Sequence, residues 1–201
     1  MRKSISYAAV AAALTLTLSP AHAAWRIDNN RSTFNFVTSK AAASGVAAIE
    51  EVQTFKQIDG TIGDNGKLEF DVELGSVETN IPLRNERLKA MLFKVADNPK
   101  AVFTGAVDAH RIKAMRVGVL ENVDLTGQLT ISGRSNPLTA SLYVVKLASG
   151  VLRVSTSLPI IVNLKDYGLQ EDVEALRNVM HLNVLAGSAP VTFSVVLKSE
   201  K

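Results

Sequence analysis

Residues 67–74 read KLEFDVEL, and this stretch decides the fold class. Its apolar residues alternate with charged ones, which is the period of two of a β-strand. The apolar positions are Leu68, Phe70, Val72 and Leu74. A strand with one dry and one wet face is typical of an antiparallel sheet that covers a hydrophobic core.

Similar runs recur along most of the chain and predict further strands. Turn signals separate them, for example Gly63-Asp64-Asn65-Gly66 and Gly133-Arg134-Ser135-Asn136-Pro137. The further predicted strands cover residues 32–37, 102–107, 123–131, 138–144, 151–158, 160–164, 180–185 and 191–197.

Two stretches have a helical pattern instead. One has apolar residues at i, i+3, i+4 and i+7, and Asn98-Pro99 ends it. These residues are Leu88, Met91, Leu92 and Val95. Residues 172–177 predict a second short helix, with acids at its start and a base at its end.

Many strands with few helices predict an all-β domain, either an antiparallel barrel or a sandwich, because parallel strands would need more crossovers. A barrel of about eight strands can hold one small ligand. The candidate wall residues are Phe34, Phe36, Phe70, Phe103, Leu129 and Phe193. The alternative is that these side chains fill a solid core.

The first 23 residues are typical of a secretory signal peptide. Arg2 and Lys3 precede an uncharged apolar run, residues 8–18, and Ala21-His22-Ala23 is a cleavage pattern. The run is about half of the roughly 20 residues that a spanning helix needs. We therefore expect a mature domain of residues 24–201 in the periplasm or the medium; the alternative is an N-terminal membrane anchor.

The composition excludes several classes of protein. The chain has 201 residues, 47% of them hydrophobic and 20% charged, which is a folded composition. It has no cysteine, so thiol nucleophiles, thiolate zinc sites and thiolate-held iron–sulfur clusters are excluded. The net charge is +3, and Arg2 and Lys3 contribute two of its positive charges. We expect no nucleic-acid partner, because the mature domain lacks a concentrated basic face.

Catalytic motifs are missing from the sequence. His110 and His181 are the histidines beyond the leader, and their separation fits no paired zinc motif. We interpret His181, between Met180 and Leu182, as a strand residue at the wall or rim of the barrel, and His110 as exposed. No G-x-S-x-G elbow or glycine-rich phosphate loop is present. We expect neither an enzyme nor a metal site.

Three polar residues are candidates for contacts with a ligand. Arg84 and Arg87 lie beside the predicted helix and, at a barrel mouth, would clamp a phosphate or carboxylate head group. The alternative is an exposed turn whose charges face water. Glu78 is a candidate structural partner of either arginine. Tyr167 lies in the bend Asp166-Tyr167-Gly168 and is expected to present its hydroxyl at the rim.

Several short motifs occur in a defined order over nearly the whole mature chain. They are Trp25-Arg26-Ile27-Asp28, residues 32–36, Gly60-Thr61-Ile62, residues 75–79, residues 84–88, Leu92-Phe93, residues 99–103, residues 125–133 and residues 166–169. This order resembles the YceI-like family. The chain has Arg84-Asn85-Glu86-Arg87-Leu88 where that family often has an Arg-Asp-x-His-Leu-like stretch.

The resemblance implies an extended, lipocalin-like antiparallel β-barrel of about eight strands with one or two short helices. It also implies a periplasmic protein, and some family members hold a polyisoprenoid chain in the barrel. We therefore expect a non-enzymatic binding or carrier protein for an amphiphilic lipid, an isoprenoid quinone or a polyprenyl lipid, without another cofactor. Transient contact with the inner membrane and a homodimer are further expectations. The alternatives are a scaffold protein with a filled core and a hydrolase acting on a lipid or ester.

Overall fold

Antiparallel strands make up most of the residues that the computed structural model describes, which are 23–44 and 47–200. The strands are β1 (Ala23–Ile27), β2 (Thr33–Ala42), β3 (Ile49–Phe55), β4 (Ile58–Gly63), β5 (Lys67–Glu73), β6 (Val77–Glu78), β7 (Lys100–Ala106), β8 (Leu120–Ile131), β9 (Arg134–Ala148), β10 (Val151–Thr156), β11 (Ile160–Asn163), β12 (Leu182–Leu185) and β13 (Ser188–Ser199). The helices are α1 (Pro82–Arg87), α2 (Ala109–Ala114) and α3 (Gln170–Val179).

Eight of these strands close into a barrel. Their order is β1-β4-β5-β7-β8-β9-β10-β13, and β13 pairs back onto β1. The closing register places Trp25 opposite Ser199 and Ile27 opposite Leu197. The prediction of an antiparallel barrel of about eight strands is therefore confirmed.

A smaller sheet extends the barrel on one side. The first half of β13 pairs with β2, which pairs in turn with β3, and β3 pairs with β6. The strand β12 also pairs with β2, near Lys40. This extension carries α1, because β6 leads directly into that helix.

Helical segments cover one end of the barrel, which we call the helical end. Pro82 begins α1, where its missing amide hydrogen costs nothing. The helix continues as a wider π-type turn over Leu88–Phe93 and ends at Lys94, whose φ is 49°. This wide turn packs against α3. Leu88, Leu92 and Phe93 are buried there, as the predicted apolar face requires.

Several element boundaries differ from the sequence prediction. The predicted strand at 180–185 begins at Leu182, because α3 extends to Val179 and His181 then takes a left-handed turn with φ of 52°. His181 is therefore an exposed turn residue, and its interpretation as a strand residue is wrong.

One helix was missed altogether. It is α2, whose N-terminus is capped by Asp108, and the amides of His110 and Arg111 donate to its carboxylate. His110 is exposed there, as expected.

Two further points concern the chain as a whole. The predicted leader, residues 1–23, lies outside the described residues apart from Ala23. Within residues 23–44 and 47–200, no helix has the length and apolar character needed to cross a bilayer.

Candidate functional site: an apolar cavity in the barrel

An apolar cavity of about 240 Å³ lies inside the barrel. Its walls come from the barrel strands other than β1 and from the segments at the helical end. Among the described residues that line it, Thr38 and Ser188 are the ones with a polar side chain, and none is charged. Such a wall suits hydrocarbon and offers little to a polar molecule.

All six wall residues predicted from the sequence line this cavity: Phe34, Phe36, Phe70, Phe103, Leu129 and Phe193. Inward-facing positions of adjacent strands bring some of them together directly. Phe34 is paired with Phe193 across β2 and β13, and Phe70 with Phe103 across β5 and β7. Contact of these residues with a ligand stays a prediction.

Three of these rings meet inside the barrel. The ring centroids of Phe34 and Phe70 are 5.9 Å apart, those of Phe34 and Phe193 are 6.2 Å apart, and those of Phe70 and Phe193 are 5.7 Å apart. Offset aromatic packing at such distances is favourable. The three rings form an aromatic cluster that borders the cavity.

Sequence reasoning missed the wall at the helical end. Phe55 on β3 stacks on Phe36 with centroids 5.1 Å apart and contacts Phe93 at 5.9 Å. Leu88 and Leu92 complete this part of the lining, together with residues of α3. The helical spacing of Leu88 and Leu92 predicted that they share one apolar face. That spacing does not predict which part of the protein the face packs against.

Arg84 lies beside this apolar lining in an ion cluster. It pairs with Glu51, and one of its terminal nitrogens donates to the carbonyl oxygen of Thr79 at 2.7 Å. Lys40 contacts the same Glu51 carboxylate oxygen at 2.9 Å. The hydrogen bond from Lys40, together with that from Arg84, lowers the pKa of Glu51, although partial burial acts in the opposite direction.

Arg87 is not joined to Arg84 in a clamp. It is half-buried, and within the described part of the chain it makes no ion pair. The predicted pairing of Glu78 with Arg84 or Arg87 is wrong. The Glu78 carboxylate instead accepts hydrogen bonds from Lys56 at 2.7 Å and from the side chain of Asn85 at 2.9 Å. Asn85, in the first turn of α1, therefore takes the place next to Glu78 that was predicted for an arginine, while Arg84 pairs with Glu51.

Tyr167 is buried, and the prediction that it stands at the rim is wrong. Its side chain belongs to the hydrophobic core, and it does not line the cavity. Burial raises the pKa of its hydroxyl. The physical reason is a 3₁₀ turn over Leu164–Tyr167, which Gly168 closes with φ of 73° and which directs the ring inward.

Within residues 23–44 and 47–200, the residues considered for catalysis are not brought together. A hydrolase would need a buried histidine that is hydrogen-bonded to a serine and an acid. His181 is instead exposed in its turn. Among the described residues, no group of three His, Asp or Glu side chains could hold a metal ion.

Comparison with solved structures gives the same architecture. A polyisoprenoid binding domain from Saccharophagus degradans, implicated in plant cell wall breakdown, is 30% identical to this chain, with a TM-score of 0.83. The match covers 89% of this chain and 100% of that domain. BcnA from Burkholderia cenocepacia is 15% identical over 85% of this chain and 98% of its own, with a TM-score of 0.62, and shares the fold.

Comparison with sequences assigns the family. No curated protein matches the chain. Residues 25–197, however, match the model of the YceI-like domain, and this range begins within β1 and ends within β13. The chain therefore belongs to the YceI-like domain family.

Proposed function

We propose that the protein binds an amphiphilic lipid with an isoprenoid-type tail and holds that tail inside the barrel without catalysing a reaction on it. An isoprenoid quinone and a polyprenyl lipid are the two candidate ligands. The observation that carries the proposal is the apolar cavity, whose described lining has no charged side chain.

The energetics of burial support an apolar tail. Each buried CH₂ group contributes about 0.8 kcal/mol, so one five-carbon isoprene unit contributes a gross gain of roughly 4 kcal/mol. Association itself costs at least about 4 kcal/mol. A tail of two or more buried units therefore exceeds the cost of binding.

The similarity to the Saccharophagus degradans domain supports the class of ligand. That protein is described as a polyisoprenoid binding domain, and it matches this chain over its full length. The cavity residues of this chain are compatible with the same kind of ligand, because aromatic and branched aliphatic side chains pack well on a methyl-branched tail.

The predicted leader supports export, and we place the protein in the periplasm as a carrier. Transient contact with the inner membrane would give it access to lipid, and a homodimer remains a further prediction. The alternative of a scaffold protein with a filled core is disfavoured by the cavity. The hydrolase is disfavoured by the exposed His181.

Identification of the lipid that copurifies with the protein tests the proposal. The protein would be isolated from its native periplasm and the bound lipid identified by mass spectrometry. We expect one isoprenoid molecule per barrel. A protein that is empty, and that also fails to take up added quinones and polyprenyl phosphates, would overturn the proposal.

A further inference from the structure

A cluster of charged residues lies directly beyond the apolar wall at the helical end. It consists of Lys40, Glu51 and Arg84, and we call it the Lys40–Glu51–Arg84 cluster. On β2, Phe34, Phe36 and Thr38 line the cavity, and Lys40 is the next residue on the same face. Residues two apart on a strand are separated by about 7 Å, so Lys40 lies one such step beyond the lining.

The other two members are placed in the same way. On β3, Phe55 lines the cavity, and Glu51 lies on the same face of that strand, four residues earlier. Glu51 is the direct cross-strand partner of Thr38, which also lines the cavity. In the helix, Arg84 is one turn before the cavity-lining Leu88. The cluster therefore continues three separate walls of the cavity.

The cluster has more positive charge than negative charge. The side chains of Lys40 and Arg84 are only 20% and 11% exposed, and both contact the same oxygen of Glu51. Buried charges are normally paired, because an unpaired one loses its hydration without compensation. One carboxylate neutralises one of the two cations, so one positive charge is left over.

Hydrogen-bonding capacity is also left over. The Nε atom of Arg84 is buried and has no partner among the described residues. Lys40 has three donor hydrogens, and Glu51 is the one acceptor that the described residues provide for it. Two nearby acids are engaged elsewhere, since Glu78 pairs with Lys56 and Glu86 with Lys89. A third, Glu50, is exposed and lies on the opposite face of β3 from Glu51.

We propose that the Lys40–Glu51–Arg84 cluster receives an anionic phosphate head group while the tail of the same molecule lies in the cavity. The ligand class is then an isoprenoid phosphate rather than a neutral quinone or alcohol. This inference rests on the proposed function, because it needs the tail in the barrel. The phosphate oxygens supply the missing negative charge and accept hydrogen bonds from Lys40.

Farnesyl phosphate and farnesol test this inference, because they share one tail and differ only at the head. Their dissociation constants would be measured by calorimetry with the mature protein. We expect farnesyl phosphate to bind at least tenfold more tightly than farnesol, and this preference to weaken with added salt. Equal affinities would overturn the inference.

Variants separate the head group from the tail. Lys40→Met keeps the Arg84–Glu51 pair, and we expect it to weaken farnesyl phosphate binding about tenfold while leaving farnesol binding unchanged. Lys113→Met is the matched control, because Lys113 is an exposed lysine of α2 that pairs with Asp64. A phosphate preference that survives in Lys40→Met would overturn the inference.

Two further outcomes are distinguishable. If farnesol and farnesyl phosphate both fail to bind wild-type protein, the proposed function fails, and this inference fails with it. Competition with inorganic phosphate distinguishes a site for a lipid head group from a site for a free anion. We expect millimolar phosphate not to displace farnesyl phosphate, and displacement would contradict the link between the cluster and the cavity.

Discussion

The phenyl rings of Phe70 and Phe193 lie 5.7 Å apart in the barrel interior, although β1 and β4 separate their strands in the sheet. Phe34 stacks on both. The aromatic cluster therefore joins opposite parts of the wall, and it supports the barrel as well as bordering the cavity.

Removal of one ring from the cluster should destabilise the protein. Phe70→Ala is expected to lower the free energy of unfolding by about 3 kcal/mol, the low end for such a change, because the ring already borders a cavity. Urea denaturation measures this value. The control is Glu69→Ala, an exposed neighbour on β5, with an expected effect below about 0.5 kcal/mol. Similar losses in both variants would contradict the structural role of the cluster.

Gly127 on β8 makes room for a neighbouring ring. A Cβ atom at this position would overlap the carbonyl oxygen of Thr104 and the ring of Phe103. We expect Gly127→Ala to cost roughly 1–3 kcal/mol of unfolding free energy, through overpacking. At Gly75 a Cβ would meet nothing within 4 Å, so Gly75→Ala is the control with little effect. A stable Gly127→Ala protein would show that the strands can move apart there.

Asn85 connects α1 to the strand that precedes it. Its side-chain oxygen accepts hydrogen bonds from the amide of Thr79 at 2.9 Å and from the hydroxyl of Thr79 at 2.6 Å. Both residues are buried, so Asn85→Ala leaves donors without partners and should cost about 1–3 kcal/mol. Thermal denaturation, with the exposed Glu86→Ala as reference, checks this value. A melting temperature equal to that of Glu86→Ala would show that water replaces the amide.

Glu78 makes stability dependent on pH. Hydrogen bonds from Lys56 and Asn85 lower its pKa from the ordinary value of 4.5 to about 2. The folded protein therefore favours the ionised form, and this stabilisation is present above pH 4.5 and is lost as the pH falls from 4.5 toward 2. When the pH is lowered from 6 to 4 and then to 3, the melting temperature should fall less steeply in Glu78→Gln than in wild type. If the melting temperatures of Glu78→Gln and wild type fell equally with pH, this role of Glu78 would be contradicted. The control is Glu50→Gln, at an exposed position of β3, which should follow wild type.

Local patterns in the sequence predicted much of the barrel and part of its lining. Alternation identified β5 and the inward positions of Phe34, Phe70 and Phe193, because the period of two is a property of each strand alone. The strand β3 was missed, since Glu50 and Glu51 interrupt its apolar alternation.

The candidate site depends on contacts between distant residues, and these were beyond the sequence. Glu51 and Arg84 are 33 positions apart and meet because β6 pairs with β3 and leads into α1. The inward placement of Tyr167 likewise depends on a turn conformation closed by Gly168. Propensity and periodicity describe neither kind of contact.

Blocking the cavity from within tests the central claim most directly. Leu129 lines the cavity, and its neighbour Gln128 is exposed on the outer face of β8. The measurement is the affinity for farnesol of wild type, Leu129→Trp and Gln128→Trp, after thermal denaturation has shown that both variants fold. We predict that Leu129→Trp loses at least tenfold in affinity while Gln128→Trp binds like wild type. Unchanged binding in Leu129→Trp would contradict a tail held inside the barrel.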